Sequence, residues 1–248
     1  MTRISVELVP RDVEVLKEEV KTIKEKLSDV DFINIPDLLS CDTRSWDGAN
    51  IAKAYFDDVV PHLRAMDFDF TKDLPIKDKL REYNIKEVLV IEGDPPQSML
   101  YQVYPTISTD IIKKFSEEMP EITVYAGIDQ YRSSMKEEEY RIRRKQLAGA
   151  KGFFTQPFFD MRYLEMYADL LDGLDIYWGV SPVLSERSVS YWRNKNNVIF
   201  PKDFEPTLEW NIEFARKVID FARKHNHNVY LMPIKAKIMP YLEGVFAK

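Results

Sequence analysis

Cysteine, glycine and long apolar runs are all scarce in this chain of 248 residues, and each scarcity excludes a class of protein. The single cysteine, Cys41, excludes a disulfide within the chain and a thiolate metal cluster, and it favours a reducing cytoplasm. The 8 glycines form no GxGxxG, GxxxxGK[ST] or GxSxG pattern, so the signatures of a dinucleotide fold, a P-loop and a hydrolase elbow are missing.

Apolar runs and net charge narrow the possible partners. No apolar run approaches the roughly 20 residues that a membrane helix needs. The N-terminus, MTRISVELVPRD, becomes charged too early to be a signal peptide. A net charge of −6 argues against nucleic acid or an anionic membrane as the main partner. Hydrophobic residues make up 45% of the chain, which predicts a sizeable core. The missing membrane run and signal peptide, with the single cysteine, predict a soluble cytoplasmic protein.

Strand-like and helix-like segments alternate along the whole chain, which predicts parallel strands joined by helical crossovers. The predicted strands are 4–8, 31–35, 59–66, 88–91, 123–128, 152–156, 176–183 and 229–234. The predicted helices are 12–27, 50–57, 74–83, 108–118, 136–147, 163–171, 188–193 and 208–224. Eight such units in a chain of this size predict a single α/β domain over residues 1–248, folded as a (β/α)8 TIM barrel. An open doubly wound sheet is the alternative, because strand number alone does not prove closure.

Glu7 is a charged residue inside an apolar strand, ISVELVP. By alternation it points to the side opposite Val6 and Leu8, which in a barrel is the interior. A carboxyl group there loses hydration, so its pKa rises and it can hold a proton near neutral pH. A residue at the barrel bottom, paired with a lysine or arginine, is the competing interpretation, and the sequence leaves both open.

Other polar groups also lie late in predicted strands: Asn34 in FINIPD, His62 in VPHLRAMD and Gln156 in FFTQPFF. In VLVIEGDPPQ, Glu92 and Asp94 follow the fourth strand, and two prolines prevent further strand pairing. A barrel brings the carboxyl ends of its strands together at one mouth, where chemistry is usually found. The recurrence of these groups predicts a ligand site at that mouth.

Two further clusters carry weaker signals. Arg141 to Lys145, RIRRK, carry enough positive charge to bind a phosphate, but so charged a helix is usually a solvated face. Only a residue that faces the mouth, such as Lys145 near the helix end, matters for a ligand. His225 and His227 flank Asn226 at a helix end without an acidic partner, so we predict no metal site.

Four stretches of the chain resemble the methylenetetrahydrofolate reductases, which in bacteria are single-domain (β/α)8 barrels. ISVELVP resembles the opening strand of that family, VPHLRAMD its third strand and VLVIEGDPP its fourth. RRKQLAGAKGFFTQPFFD is the most specific match, with lysine, Ala-Gly-Ala, Thr-Gln, an aromatic pair and aspartate in the family's order. The resemblance extends over nearly the whole chain but is loose outside these stretches.

The resemblance implies reduction of 5,10-methylenetetrahydrofolate to 5-methyltetrahydrofolate, with hydride delivered by FAD that NADH or NADPH has reduced. In this implied site, Glu7 is the general acid that opens the ring, and Asp94 lies beside both flavin and pterin. Gln156 holds the pterin edge. Asn34, His62 and Lys145 lie where the family contacts its flavin.

Two departures from the family pattern concern the flavin. Glu92 stands where the family usually has arginine, which removes a cation and places an acid near the flavin diphosphate. Gly127, in VYAGID, replaces a tyrosine that commonly contacts the flavin. A second hypothesis is therefore a flavin-free folate- or pterin-binding subunit of a multi-protein one-carbon or methyl-transfer complex. A third, a barrel lyase or transferase unrelated to folate, is hard to reconcile with Glu7, Asp94 and TQPFFD in register.

Beyond Val183 the chain matches the family only in pattern. Phe204 is a candidate substrate-binding residue if its loop covers the mouth and lets the ring stack on a ligand. Tyr191, Trp192 and Trp210 are read as core residues, with an interaction surface as the alternative. The sequence leaves open both a homo-oligomer and a partner subunit.

Overall fold

Eight parallel strands close into a barrel in the computed structural model, which describes residues 2–96, 98, 100–234 and 237–247. The strands are β1 Ile4–Glu7, β2 Phe32–Ile35, β3 Val59–Arg64, β4 Glu87–Ile91, β5 Thr123–Ile128, β6 Gly152–Pro157, β7 Ile176–Val180 and β8 Asn228–Leu231. Each strand pairs with the next, and β8 also pairs with β1. The predicted (β/α)8 barrel is therefore confirmed, and the open doubly wound sheet is excluded because no strand edge of this sheet is left unpaired.

Helices cover the outside of the barrel between successive strands. They are α1 Val13–Lys26, α2 Ser45–Ala52, α3 Lys77–Glu82, α4 Ser108–Glu118, α5 Met135–Ala148, α6 Met161–Leu170, α7 Glu186–Lys195, α8 Leu208–His225 and α9 Ile238–Phe246. In α1 the side chain of Asp12 accepts from the first free backbone N–H groups, and the apolar face is buried against the strands. None of the helices in these described ranges combines the length and the apolarity that crossing a bilayer requires.

The predicted helix 50–57 is misplaced. The structure begins α2 at Ser45 and includes Gly48, which a sequence pattern assigns more readily to a loop. A Cβ at position 48 would lie 2.9 Å from Ile35 Cγ2, so glycine lets this helix pack closely on β2. The predicted third strand, 59–66, ends two residues early at Arg64, where a short 3₁₀ turn, Ala65–Asp67, begins. Helix α9 was not predicted.

A closed layer of large side chains fills the middle of the barrel. Strands β2 to β8 each contribute to it; its members are Phe32, Val60, Leu89, Tyr125, Phe154, Tyr177, Tyr230 and Met232. The rings of Phe154 and Tyr177 stack with centroids 4.1 Å apart. Strand β1 places only the small Ser5 at this level, opposite Phe32 and Tyr230. Because this layer is packed, the two ends of the barrel are separate environments.

An ion pair occupies the amino-terminal end of the barrel. Arg3 contacts Glu87 at 3.2 Å, and the same guanidinium donates to the hydroxyl groups of Tyr125 and Tyr177. It also lies 4.4 Å from the centroid of the Phe32 ring. Glu87 is therefore an acid that pairs with a cation at the barrel bottom. Glu7 takes no part in this ion pair, so its interpretation as a barrel-bottom residue does not hold.

Candidate active site

Glu7 lies at the opposite end, as the last residue of β1. It is 8% exposed, and Tyr230 of β8 donates a hydrogen bond to its Oε2. Burial raises the pKa of the Glu7 carboxyl to about 7, although the Tyr230 bond and the charge of Arg11 oppose this rise. Burial and the adjacent carboxylate raise the pKa of the Tyr230 phenol well above its usual value of about 10, so Tyr230 remains a donor. At neutral pH about half of the Glu7 carboxyl groups are therefore protonated, at the carboxyl end of the barrel.

His62 and Asn34 extend this buried group across the neighbouring strands. Asn34 is opposite Glu7 in register, and its Nδ2 lies 3.3 Å from His62 Nε2. Burial lowers the pKa of the His62 imidazole to about 3 against the opposing charge of Asp37, so the ring is neutral. The His62 ring meets the Tyr230 ring edge to face at 6.2 Å. Asn34 Oδ1 is buried and has no hydrogen-bond partner within the described residues.

A cavity of about 600 Å³ opens at the carboxyl ends of β3 to β6. Its lining includes Asp94, Gln156 and Lys145, three of the residues predicted from the sequence. The cavity adjoins the buried group through β3, since His62 and Arg64 are two residues apart and share one strand face, and Arg64 lines the cavity. The structure thus brings six of the seven predicted site residues to one end of the barrel.

Gln156 and Asp94 have exposed side chains at this cavity. The ladder between β6 and β7 shifts register between Phe154 and Pro157, and such bulges redirect side chains at barrel rims. The backbone oxygen of Gln156 accepts from Gln130 Nε2 at 2.7 Å, which holds the strand end. Both predicted contacts therefore have side-chain atoms free to meet a ligand.

One face of α5 forms a wall of the cavity. Arg141, Arg144 and Lys145 line it, whereas Arg143 points outward and pairs with Glu139. Lys145 is buried and donates to the backbone oxygen of Gly127 at 2.6 Å. Burial lowers the pKa of the Lys145 ammonium, with the nearby acids Glu138 and Glu92 acting in the opposite direction. Helix α5 is therefore not solvated on all sides, because Arg141 and Arg144 line the mouth cavity together with Lys145.

Glu92 lines the cavity, and its carboxylate is hydrogen-bonded at a helix N-terminus. Its two carboxylate oxygens accept from Ser108 N at 3.1 Å and from Ser108 Oγ at 2.7 Å, at the start of α4. The partial positive charge of a helix N-terminus stabilises a carboxylate there. At Gly127, an added Cβ would approach only Ile91 Cγ2, at 3.3 Å, so this part of the wall is open.

These observations bear on the implied flavin. The α5 wall presents Arg141, Arg144 and Lys145 to the cavity, and Gly127 in β5 carries no side chain there. The same lining also holds six carboxylates: Asp37, Glu92, Asp94, Asp129, Glu137 and Glu138. Cations and open space are what a dinucleotide diphosphate and a planar ring need. The cations of α5 therefore suit the diphosphate of a flavin dinucleotide, whereas the carboxylates of the lining oppose it.

Phe204 is the predicted site residue that the structure does not bring to the mouth cavity. It packs among aromatic side chains, with ring centroids 4.4 Å from Phe200 and 4.6 Å from Trp210. Trp192 and Trp210 are also partly buried in core clusters, while Tyr191 is 44% exposed. A substrate contact by Phe204 stays a prediction that requires its loop to move over the mouth.

The paired histidines make contacts that are typical of structural residues. Trp178 Nε1 donates to His227 Nδ1 at 3.0 Å, and the His225 ring stacks on Phe221 at 4.2 Å. Asn226 between them ends α8 in the left-handed conformation, as expected of a helix cap. Across the described ranges, no group of three or more His, Cys, Asp or Glu side chains is placed to hold a metal ion.

Sequence reasoning missed Tyr230 and Arg64. The alternation of β8, NVYL, places Tyr230 on the inward face, but only closure of the barrel puts it beside Glu7. Arg64 follows His62 by two residues, so the same alternation that selected His62 also points to Arg64.

We predict that Tyr230→Phe raises the pKa of Glu7 further. The lost hydrogen bond favours the ionised carboxylate, and such bonds to charged groups are worth enough to move the titration midpoint by about one pH unit. The measurement is a carboxyl ¹³C NMR titration of the variant and the wild type. Tyr177→Phe is the matched control, because that interior hydroxyl contacts Arg3 and not Glu7. An unchanged midpoint in Tyr230→Phe contradicts the assigned contact.

Comparison with known proteins gives one named relative in sequence and many in fold. No protein-family model matches the chain. A 5,10-methylenetetrahydrofolate reductase of Buchnera aphidicola subsp. Schizaphis graminum is 22% identical over 147 residues, which cover 57% of this chain and 50% of that protein. The chain thus spans about half the length of the curated relative that it matches.

Solved structures share the barrel. An uncharacterized protein from Clostridium thermocellum, described as binding two copies of 5-methyl-5,6,7,8-tetrahydrofolic acid, has a TM-score of 0.65 at 14% identity, covering 98% of this chain and 94% of that one. An oxaloacetate acetylhydrolase has a TM-score of 0.62 at 9% identity, covering 96% of this chain and 77% of that one. At such identities these neighbours show the fold alone. The match to a named reductase confirms the resemblance of this chain to the methylenetetrahydrofolate reductase family.

Proposed function

We propose that this chain reduces the methylene bridge of 5,10-methylenetetrahydrofolate to the methyl group of 5-methyltetrahydrofolate. The observation that carries the proposal is Glu7, an acid with a pKa of about 7 at the carboxyl end of β1. An acid in this state can give up a proton at neutral pH, which a surface carboxyl group with an ordinary pKa cannot do efficiently. The named sequence relative and the folate ligand of the structural neighbour support the same substrate class.

In this proposal Glu7 gives its proton to the bridging nitrogen as the carbon–nitrogen bond of the five-membered ring breaks. The product is an iminium whose methylene carbon accepts a hydride and becomes the methyl group. Tyr230 donates to Oε2, so the transferable proton of Glu7 resides on Oε1. The neutral His62 beside Tyr230 adds no positive charge that would compete with the developing iminium.

Gln156 and Asp94 are the residues that we assign to the pterin. An amide offers both a donor and an acceptor, and a carboxylate accepts from ring N–H groups. Both side chains are exposed at the same cavity, at the ends of β4 and β6, with β5 between them. Their role is to orient the ring so that its bridging nitrogen meets Glu7.

FAD is the cofactor that we assign to the mouth cavity, with NADH or NADPH as the source of electrons. When bound, the flavin supplies the hydride. Arg141 and Arg144 offer guanidinium groups to the diphosphate, and Lys145 offers an ammonium beside Gly127. We assign His62 and Asn34 to the inner side of this site, because His62 precedes the cavity-lining Arg64 by two residues on β3 and Asn34 contacts His62.

A flavin-free folate- or pterin-binding subunit of a one-carbon complex is the second candidate. Glu92 favours it, because the mouth then carries an acid at a position where the family has a cation. In that case Asp94 and Gln156 hold the pterin, and a partner supplies electrons or a methyl acceptor.

The visible absorbance spectrum of the purified protein, before and after addition of FAD, separates the two candidates. We expect a bound flavin spectrum that NADH or NADPH bleaches and that 5,10-methylenetetrahydrofolate restores. If saturating FAD leaves no flavin bound while 5-methyltetrahydrofolate still binds by calorimetry, the flavin-free subunit is supported. Loss of both signals overturns the folate assignment itself.

A further inference from the structure

Gln130 is a buried amide that supports the strand end carrying the proposed pterin contact. It lies in the loop between β5 and α5 and is 1% exposed. Its Nε2 donates to the backbone oxygen of Gln156 at 2.7 Å and to that of Pro157 at 3.4 Å. Its Oε1 is buried and has no hydrogen-bond partner in the part of the chain that the structure describes. Because two carbonyl oxygens face this amide, only its donor end can occupy that side.

The backbone of Gln156 is also restricted from the side of β7. The register of the β6–β7 ladder shifts at this point, and a Cβ added to Gly179 of β7 would lie 2.8 Å from the Gln156 oxygen. Pro157 follows Gln156 and limits its backbone to extended conformations. The main chain at Gln156 is thus closely held, whereas its side chain is exposed at the mouth cavity.

Helix α6 holds Gln130 in its turn. The hydroxyl groups of Tyr163 and Tyr167 donate to the backbone oxygen of Gln130 at 2.6 Å and 3.5 Å. In the same loop, the hydroxyl group of Tyr131 donates to the backbone oxygen of Pro157 at 2.8 Å. These bonds connect α6, the β5–α5 loop and the end of β6. Such a support keeps a ligand-binding side chain in one geometry.

We propose that Gln130 is a positioning residue that fixes the direction in which Gln156 presents its amide to the pterin. This inference rests on the proposed function, in which Gln156 contacts the pterin. Gln130 is not among the residues that line the mouth cavity, so it acts through the backbone of Gln156. A small rotation of the β6 end misaligns the bonds that the Gln156 amide makes, because hydrogen bonds weaken steeply when they bend.

Two variants test this role through the binding of 5-methyltetrahydrofolate, measured by calorimetry. Gln130→Met removes the donor and keeps the length of the side chain, and we expect it to weaken binding about tenfold, as the loss of one hydrogen bond does. Tyr163→Phe removes only the hydroxyl group that holds the Gln130 backbone. It is expected to weaken binding in the same direction but less, and it provides the test if Gln130→Met does not fold.

A double-mutant cycle with Gln156→Ala supplies the sharper test. If Gln130 acts through Gln156, then Gln130→Met changes folate affinity by less than about twofold once the Gln156 side chain is absent. A residue that only stabilises the barrel gives the same loss in both backgrounds. The cycle therefore separates a positioning role from a structural one.

Asn211→Leu is the matched control. Asn211 is also a buried amide, 2% exposed, and its Nδ2 donates to the backbone oxygen of Val183 at 3.0 Å, beyond the end of β7. Neither residue lines the mouth cavity. Asn211→Leu is expected to lower the free energy of unfolding, as Gln130→Met does, and to leave folate affinity within about twofold of the wild type.

The outcomes separate this inference from the proposed function. If the wild type does not bind 5-methyltetrahydrofolate, the folate assignment fails and the inference fails with it. If Gln156→Ala leaves affinity unchanged, the pterin contact of Gln156 fails, and so does the role of Gln130. If Gln156→Ala weakens binding but Gln130→Met does not, the proposed function stands and Gln130 is only structural. Equal losses of affinity in Gln130→Met and Asn211→Leu also overturn the inference.

Discussion

Glu7→Gln is expected to lower the rate of methylenetetrahydrofolate reduction by about 10²–10⁴-fold, the usual contribution of a general acid. Glutamine has nearly the same shape, and its side-chain oxygen can still accept the bond from Tyr230. The variant therefore loses the transferable proton and keeps the packing. The measurement is NADH- or NADPH-dependent turnover of 5,10-methylenetetrahydrofolate under saturating substrate.

Binding and half-reactions localise this loss. Reduction of the bound flavin by the nicotinamide is expected to be unchanged in Glu7→Gln, and folate affinity to stay within a few-fold, because neither step needs the proton. Glu87→Gln is the matched control: the same substitution in the same barrel interior, but at the opposite end beside Arg3. If Glu87→Gln loses as much turnover as Glu7→Gln, a general loss of barrel integrity explains both and Glu7 is not the acid.

Glu7→Gln is also expected to stabilise the protein at alkaline pH. The pKa of Glu7 rises from 4.5 to about 7 on folding. Between these values the folded state binds more protons than the unfolded state, so the stability of the wild type falls as pH rises from about 4.5 to about 7. The full difference corresponds to about 3 kcal/mol. Glutamine does not ionise, so the variant escapes this loss.

Urea unfolding of both proteins near about pH 4 and about pH 8 measures the effect. The free energy of unfolding of Glu7→Gln relative to wild type is expected to increase by about 3 kcal/mol between the two conditions. Glu25→Gln, a change of the same charge on the exposed face of α1, is the control and should show no comparable dependence. A difference between Glu7→Gln and wild type that does not vary with pH shows that Glu7 ionises normally in the folded protein.

The expected loss of turnover and the expected gain in stability at alkaline pH both arise from Glu7. A buried acid lowers stability at neutral pH because its charged form loses hydration. The same loss of hydration keeps the acid protonated and able to donate. Removing the acid is expected to give a more stable but inactive barrel, as is common for groups under strain at active sites.

Parts of the site followed from local patterns. Alternation alone placed Glu7 inside the barrel, and strand ends selected Asn34, His62 and Gln156, all of which the structure brings to one end. The local pattern could not show whether Glu7 lies at the carboxyl end or the amino end of the barrel. A strand of four residues does not show which interior layer each residue occupies until its neighbours are in register.

Other expectations depended on contacts that the sequence does not encode locally. Glu92 was predicted as an acid near the flavin diphosphate; it lines the cavity, and its carboxylate also accepts from Ser108 at the start of α4, sixteen residues later. Phe204 was predicted to contact a ligand if its loop covers the mouth; in this structure its ring packs against Phe200 and Trp210. In both cases the side chain found a partner that only the folded chain brings near.

The sequence by itself determined the eight alternating units, the barrel they form and the strand ends at which polar groups appear, because hydrophobic period and segment length are local properties. Only the tertiary structure decided that Glu7 is a buried acid with a raised pKa that accepts from Tyr230, 223 residues away along the chain, and that Arg64 and Glu92 line the same cavity. The reason is that burial and hydrogen-bond partners set the charge and direction of a side chain. Both arise when β8 closes on β1 and distant strand ends become neighbours.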